Sequence, residues 1–219
     1  MRKETKDSTN SNEVSNKVYK SDSTFFGEQP SNFALLCFNH MKANNTIKVL
    51  ELGAGHGRDT TFFASNRIEV EALDYSVAAV EIQDKIAKEK RLLIKPQIFD
   101  VKNPLPFIDG NFNAVYSHML LNMKFTPDEL HFIFSEIRRV LKPRGLNFFS
   151  VRNHNDKSYG KGREIDKGIY DINGFQIRFL TEKELQGLTT EVGFELLWIK
   201  EEYEEPVTLY LVSSRKKYE

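Results

Sequence analysis

The sequence has little cysteine and no net charge, and each of these facts excludes certain structural features or binding partners. Cys37 is the only cysteine, so the sequence excludes an intrachain disulfide framework and a cysteine metal cluster. Lys and Arg together number 31, as do Asp and Glu, which gives the whole molecule no electrostatic reason to bind nucleic acid or an anionic membrane surface. No apolar run approaches the roughly 18 residues of a membrane span, and the first twenty residues hold no signal-peptide core. We therefore expect a soluble cytoplasmic protein without a nucleic-acid or membrane partner.

The composition predicts one folded domain between two polar ends. The chain has 219 residues, which is the length of one domain of ordinary size. Residues 1–20 are mostly charged or small polar residues, which bury too little apolar surface to offset their ordering entropy. We expect a disordered tail over 1–20, a domain over 21–214 and a basic tail over 215–219.

Helical and strand patterns alternate along the domain. Two capping boxes, Thr126 with Glu129 and Thr181 with Glu184, predict the starts of two helices. Short apolar segments with glycine, proline or polar residues at their ends predict seven strands, of which the third is placed at 97–99, after Pro96. The last two strands are too close together for a helical crossover and should form a hairpin. The pattern predicts an α/β fold: a doubly wound, mostly parallel seven-stranded sheet with an antiparallel last strand.

Three acidic residues stand at the ends of the first three predicted strands, and a glycine loop follows the first of these strands. The loop reads G-x-G-x-G from Gly53 and is preceded by Glu51, whereas the dinucleotide fingerprint reads G-x-G-x-x-G. A carboxylate at this entrance repels a pyrophosphate and attracts an ammonium group. Asp74 and Asp100 end the next two strands, where a carboxylate can accept from ribose hydroxyls or from an exocyclic amine. Each acid alone is more often a surface or capping residue, but the set together indicates a binding site.

The ordered motifs resemble those of the class I S-adenosylmethionine-dependent methyltransferases. The resemblance rests on E-L-G-A-G-H-G, L-D-Y-S, I-F-D-V, L-P-F and L-K-P-R-G, and it covers about residues 25–214. F-F-G-E-Q-P-S and G-H-G-R-D are similar to small-molecule members of the tellurite-resistance and thiol methyltransferase type. The acidic and apolar stretch 201–211 departs from that narrower pattern, which has His and Arg there.

The resemblance implies S-adenosylmethionine as cofactor and a small-molecule methyl acceptor as partner. It implies that the glycine loop lines the methionine part of the cofactor through Gly53, Ala54, Gly55 and Gly57. It places Glu51 near the amino group of that part.

The resemblance also assigns the nucleoside side of the cofactor. Asp74 would hold the ribose, and Tyr75 would lie against the adenine. Asp100 and the Val101 backbone would read the adenine edge.

The residues expected near the reacting methyl group come from the fourth strand and from a long insert. Ser117 and His118 are implied to lie beside the sulfonium. A general base is needed only if the acceptor arrives protonated, and His118 and His154 are the candidates. The insert, 152–178, should form part of the acceptor pocket and contain a hairpin around Asn173-Gly174, because a connection this long is usually functional.

Several alternatives stay open beside a small-molecule methyltransferase. No ligand spacing indicates a metal site. An RNA acceptor usually requires a basic face, which the sequence lacks, while a protein acceptor needs no charge signature. A non-catalytic S-adenosylmethionine-binding module would keep the same motifs. An NAD(P)-dependent oxidoreductase is disfavoured by Glu51 and by the loop spacing.

Overall fold

The computed structural model describes Gly27 and residues 29–218. The predicted tail 1–20 lies outside these residues. The described helices are α1 (Asn32–Ala43), α2 (Arg58–Ser65), α3 (Val77–Lys90), α4 (Pro127–Val140) and α5 (Glu182–Glu191). The described strands are β1 (Lys48–Leu52), β2 (Glu69–Asp74), β3 (Ile94–Ile98), β4 (Phe112–His118), β5 (Leu141–Arg152), β6 (Arg163–Asp166), β7 (Ile169–Ile172), β8 (Phe175–Arg178), β9 (Phe194–Glu204) and β10 (Val207–Lys216). None of these helices is long and apolar enough to cross a membrane.

Seven of the strands form the main sheet, in the order β3-β2-β1-β4-β5-β10-β9. The strand β1 pairs in parallel with β2 and with β4, whereas β10 runs antiparallel to both β5 and β9. This arrangement confirms the predicted doubly wound sheet with an antiparallel last strand. The strand order reverses between β1 and β4, so the carboxyl ends of these two strands flank the switch point at which such sheets bind ligands.

Apolar layers cover both faces of the main sheet. Phe148 and Phe149 are neighbours on β5 and point to opposite faces, yet neither is exposed. On one face Phe149 meets Phe134 of α4 edge to face, with ring centroids 5.1 Å apart. On the other face Phe63 of α2 meets Tyr116 of β4 in the same way, at 5.0 Å. Because both faces are packed, the strand ends that carry the site residues are held in fixed positions.

The third strand was predicted at 97–99, and this placement is wrong by three residues at its start. The strand β3 runs over Ile94–Ile98 with Pro96 inside it, paired in register with Ala72. Proline has no backbone N–H to donate to a neighbouring strand. It is tolerated in β3 because this strand lies at the sheet edge, where one side has no partner strand. At the other end of the chain β10 continues to Lys216, two residues past the expected domain boundary, because it pairs with β9 that far.

The insert folds into a small sheet of its own, in the order β6-β7-β8. The predicted hairpin is present: β7 and β8 pair antiparallel across Asn173-Gly174, whose φ angles of 54° and 86° suit a tight hairpin turn. Main-chain contacts fix this small sheet to the loop between β4 and α4. Met123 forms a β-bridge with Ile177, and the Arg178 N–H donates to the Asn122 carbonyl at 2.7 Å. The insert therefore lies over the carboxyl ends of the main strands.

Both predicted capping boxes are formed, and the one at α4 offers a direct test of local stability. The Thr126 hydroxyl accepts from the Glu129 N–H at 3.1 Å, and the Glu129 carboxylate accepts from the Thr126 N–H at 2.7 Å. We expect Thr126→Ala to lower the free energy of unfolding by about 1 kcal/mol, because an orphan helix N–H loses its acceptor. Chemical denaturation measures this. Thr126→Ser keeps the hydroxyl and should stay near wild type; equal losses in both variants would contradict the capping role.

Candidate active site

A cavity of about 640 Å³ opens at the carboxyl ends of β1, β2 and β4. This volume lies within the usual range for small-molecule sites, roughly 300–1,000 Å³. Four segments enclose the cavity: the glycine loop after β1, the loop after β4, the small sheet of the insert, and the turn between β9 and β10. The side chains and loop residues that line it include Glu51, Gly53, Ala54, Gly55, Asp74, Tyr75, His118, Asn122, Met123, Arg152, Phe175, Ile177, Glu204 and Val207.

Two positions of the loop require glycine because side chains of neighbouring residues lie against them. A Cβ on Gly53 would lie 3.0 Å from Leu120 Cδ1, and one on Gly57 would lie 2.7 Å from Gln83 Cγ. Both glycines also have positive φ angles, of 68° and 85°. Gln83 of α3 donates to the Gly55 carbonyl at 2.6 Å and so holds the loop against that helix. Gly57 was predicted to line the cofactor, but it lies outside the cavity lining and serves to seat the loop.

Asp74 lies at the end of β2 and faces both the loop and the cavity. Its two carboxylate oxygens accept from the Gly55 N–H and the Ser76 N–H, each at 2.8 Å. Burial raises the pKa of Asp74, while these two backbone donors lower it. A carboxylate has about four acceptor positions, so two donors leave capacity for hydroxyl groups on the cavity side.

Glu51 belongs to a buried acidic cluster beneath the loop. Thr60 donates to its carboxylate at 2.7 Å. Asp59, also buried, accepts from the Ser31 N–H and hydroxyl at 2.8 Å each and from the Tyr116 hydroxyl at 2.7 Å. Burial, and then the charge of Asp59, raise the pKa of Glu51 well above its usual value. A cation placed at this wall of the cavity would relieve the repulsion between the two acids.

Sequence reasoning missed Asp59 and Tyr116. Asp59 stands in the quoted motif G-H-G-R-D, next to the loop, and that position was the one available signal. Tyr116 gave none, because a tyrosine inside a strand is ordinarily a packing residue. Burial and the Asp59 charge raise the pKa of Tyr116, so the phenol stays protonated and can donate.

His118 and Glu204 meet at the edge of the cavity. His118 Nδ1 lies 2.7 Å from the Ser150 hydroxyl, and its Nε2 lies 3.4 Å from a Glu204 carboxylate oxygen. The other Glu204 oxygen accepts from Arg58 at 3.1 Å. Burial raises the pKa of Glu204, but His118 and Arg58 outweigh it and hold this pKa at about 2. The Ser150 hydroxyl and the Glu204 carboxylate thus lie beside the two ring nitrogens and orient His118 at the edge of the cavity.

Other predicted site residues are not brought to the cavity lining. Ser117 is buried in the sheet, and Val101 packs in the apolar core. The Asp100 carboxylate accepts from the Lys102 N–H at 3.0 Å. His154, predicted as a second candidate base, stacks on Tyr159 with ring centroids 4.2 Å apart. Within the described residues no group of three or more His, Cys, Asp or Glu side chains could hold a metal ion.

Comparison with known proteins finds a methyltransferase domain within the chain. Residues 49–145 match the family model described as "Methyltransferase domain". An uncharacterised methyltransferase of Synechocystis is 34% identical over 99 residues, which are 45% of this chain and 44% of that protein. The ubiquinone biosynthesis O-methyltransferase of Histophilus somni is 31% identical over 140 residues, 58% of each chain. The chain thus spans about half the length of the curated relatives that it matches.

A solved methyltransferase structure has the same fold as this chain. The 1,6-didemethyltoxoflavin-N1-methyltransferase of Burkholderia thailandensis, with bound 1,6-didemethyltoxoflavin and S-adenosylhomocysteine, superposes with a TM-score of 0.71. The two share 21% identity over 95% of this chain and 87% of that one. Residues 49–145 therefore match a methyltransferase domain, and the fold of the chain is the one that this solved methyltransferase has.

The residues present fit S-adenosylmethionine, the cofactor that the sequence motifs imply. The loop residues Gly53, Ala54 and Gly55 line the cavity, Glu51 is a buried acid at the cavity wall, and Asp74 keeps acceptor capacity toward the cavity. These three features match the methionine backbone, the ammonium group and the ribose hydroxyls, in that order.

We expect Asp74→Ala to weaken S-adenosylmethionine binding by about 1.5–3 kcal/mol, because charge-assisted hydrogen bonds to the ribose are lost. Isothermal titration calorimetry with the cofactor or S-adenosylhomocysteine measures the change. Asp84→Ala removes an exposed carboxylate of α3 and should leave the affinity unchanged. Unchanged affinity in Asp74→Ala would exclude this residue from the site.

Glu51→Gln is expected to stabilise the ligand-free protein and to weaken cofactor binding. The raised folded-state pKa means that the glutamate's contribution to stability falls as pH rises above its unfolded value, about 4.3. The Tm gain of the variant should therefore increase from pH 4 toward neutral pH, while the contact with Thr60 remains possible. Cofactor affinity should fall about tenfold or more, since an ammonium loses its charged partner.

Glu71→Gln is the matched control for Glu51→Gln. Glu71 is a buried carboxylate of β2 paired with Lys95 at 3.1 Å, and it does not line the cavity. Its replacement should lower Tm and leave cofactor affinity unchanged. A Glu51→Gln variant with the same behaviour would contradict the role assigned to Glu51.

Proposed function

We propose that this chain transfers a methyl group from S-adenosylmethionine to a small-molecule acceptor. The observation that supports this most is that a single cavity has two chemically different halves. Glu51 and Asp74 give one half the acceptors that suit the cofactor. Met123, Phe175 and Ile177 give the other half an apolar lining that suits an acceptor.

The residues of the chain would act by binding and alignment. Bound S-adenosylmethionine supplies an electrophilic methyl group on a sulfonium. Glu51 would hold its ammonium group, Asp74 its ribose hydroxyls, and Tyr75 would lie beside its base. Alignment alone contributes strongly, because well-oriented reactants reach effective molarities on the order of 10⁵–10⁸ M. His118, whose ring lies between Ser150 and Glu204, would orient the reactants and would be the candidate base if the acceptor arrives protonated.

Three observations support a small molecule over a macromolecule as acceptor. The insert covers the carboxyl ends of the strands, so the acceptor half is a cavity and not an open face. The net charge of zero gives no general attraction for RNA. Two of the similar proteins carry names with small-molecule chemistry, one in ubiquinone biosynthesis and the other acting on 1,6-didemethyltoxoflavin.

A thermal-shift titration with S-adenosylmethionine, S-adenosylhomocysteine and NAD is the first test. A ligand at 100 times its dissociation constant should add about 2.7 kcal/mol to the stability, which is a clear Tm shift. We expect both sulfur ligands to stabilise the chain and NAD to have no effect. Stabilisation by NAD alone would favour an oxidoreductase.

Release of S-adenosylhomocysteine in the presence of acceptors tests the transfer itself. We expect turnover with a member of a panel of phenols, nitrogen heterocycles and thiols, and loss of turnover in Asp74→Ala but not in Asp84→Ala. Turnover only with protein or RNA would replace the small-molecule acceptor. Tight cofactor binding without turnover on any class would favour a non-catalytic binding module.

A further inference from the structure

Given the proposed methyl transfer, on which this assignment rests, we propose that Arg152 recognises the methyl acceptor, and that it does so by donating hydrogen bonds to a carbonyl oxygen of an uncharged acceptor. Arg152 is the last residue of β5, where the insert begins, and it lines the cavity. It lies outside the sequence motifs and beyond the matched residues 49–145.

A buried carboxylate holds one edge of the Arg152 guanidinium. Its Nε donates to one Asp156 oxygen at 3.0 Å, and its Nη2 donates to the other at 2.6 Å. The Cζ atom lies over the Phe179 ring, 5.3 Å from the ring centroid. A carboxylate along one edge and an aromatic ring against one face fix the plane of the guanidinium, so its remaining N–H groups have a defined direction.

The third nitrogen of this guanidinium, Nη1, is the feature that points to a ligand. Neither of its two N–H groups has a hydrogen-bond partner in the described part of the chain, yet Nη1 keeps accessible surface. Only 11% of the Arg152 side chain is exposed, and the residue lines the cavity, so this accessible surface is directed at the cavity. Two N–H donors at a cavity wall suit an oxygen acceptor on a ligand.

The carboxylate that holds Arg152 is itself anchored to two segments around the cavity. Asp156 also accepts from the Ser158 N–H and from the Thr208 N–H, each at 2.8 Å. Four donors fill the usual capacity of its two oxygens. Burial raises the pKa of Asp156, but Arg152 and the two backbone donors outweigh it and lower this pKa, so the carboxylate stays charged. Because Ser158 belongs to the insert and Thr208 to β10, the guanidinium is held by both segments.

Stability alone does not account for a charged pair at this place. Taking two charges out of water costs free energy, and well-packed apolar residues are often at least as stable in such positions. The pair between Arg152 and Asp156 occupies one edge of the guanidinium and leaves the other edge, with Nη1, for recognition of an oxygen group.

The charges around the cavity favour an uncharged acceptor. Among the described residues that line it, Arg58 and Arg152 carry the permanent positive charges, and both are paired, with Glu204 at 3.1 Å and with Asp156. Glu205 adds a carboxylate to the lining. An anionic acceptor would add a negative charge where both cations are already neutralised, whereas a carbonyl oxygen accepts hydrogen bonds without that charge. The apolar lining of the insert suits the rest of such a molecule.

Binding of small ketones to the full chain saturated with S-adenosylhomocysteine tests the assignment without turnover. Calorimetry compares 1-indanone and 4-chromanone with indane and chroman, which lack the carbonyl, and with indane-1-carboxylate, which carries an anion instead. We expect at least one ketone to bind at least ~10-fold more tightly than its partner without the carbonyl, because a hydrogen bond to a charged donor is lost there. The same ketone should bind more tightly than the carboxylate.

Variants of the charged pair assign the preference to the guanidinium. Arg152→Met combined with Asp156→Asn removes both charges together, and it should abolish the preference for the ketone while the affinity for S-adenosylhomocysteine is unchanged. Arg152→Lys keeps a charged donor and should retain part of the preference, which keeps the test informative if the double variant fails to fold. Arg163→Met is the control: it removes an exposed guanidinium of the insert that does not line the cavity, and it should behave as wild type.

Three results would overturn the assignment of Arg152. These are equal binding of each ketone and its partner by the wild type, tightest binding of indane-1-carboxylate, and a preference that survives in the double variant. Binding of S-adenosylhomocysteine without binding of either ketone would overturn it too. Failure to bind S-adenosylhomocysteine at all would instead contradict the proposed function, so the two failures are distinguishable.

Discussion

The hydrogen bonds of the buried Asp59 carboxylate hold together the elements that surround the site. Its oxygens accept from Ser31 at the start of α1 and from Tyr116 on β4, while Asp59 itself lies in the first turn of α2. Because Tyr116 and Phe63 also pack against each other, the same contacts tie the helical layer to the sheet. Glu51 is buried close to Asp59, and the two carboxyl groups repel each other when both are charged. The wall of the cavity at Glu51 is therefore suited to a positive charge.

Much of the fold could be predicted from local signals, whereas most contacts in the site could not. The capping boxes and the Asn173-Gly174 hairpin depend on residues close together in the sequence, and all were found as expected. The start of β3 was misplaced because the tolerance of a strand for Pro96 depends on its place at the sheet edge. The contact of Arg58 with Glu204 spans 146 residues, and no local pattern indicates such a pairing.

The two halves of the cavity differ in how well similar proteins describe them. The family match ends at residue 145, and it contains the glycine loop, Asp74 and His118. The insert and the turn after Glu204, which complete the half proposed to bind the acceptor, lie outside it. The part of the chain that matches is thus the part suited to the cofactor. The part proposed to bind the acceptor has to be understood from its own contacts, because one fold supports many functions.

Main-chain hydrogen bonds attach the small sheet of the insert to the rest of the domain. The Arg178 N–H donates to Asn122, and the Leu180 N–H donates to the Arg152 carbonyl at 3.0 Å. Since these bonds do not depend on side-chain identity, Ile172 and Phe175, which face the cavity, contribute little to anchoring it. This separation makes β7 and β8 a suitable place to alter substrate range by directed evolution, where pocket shape can change while the scaffold is preserved.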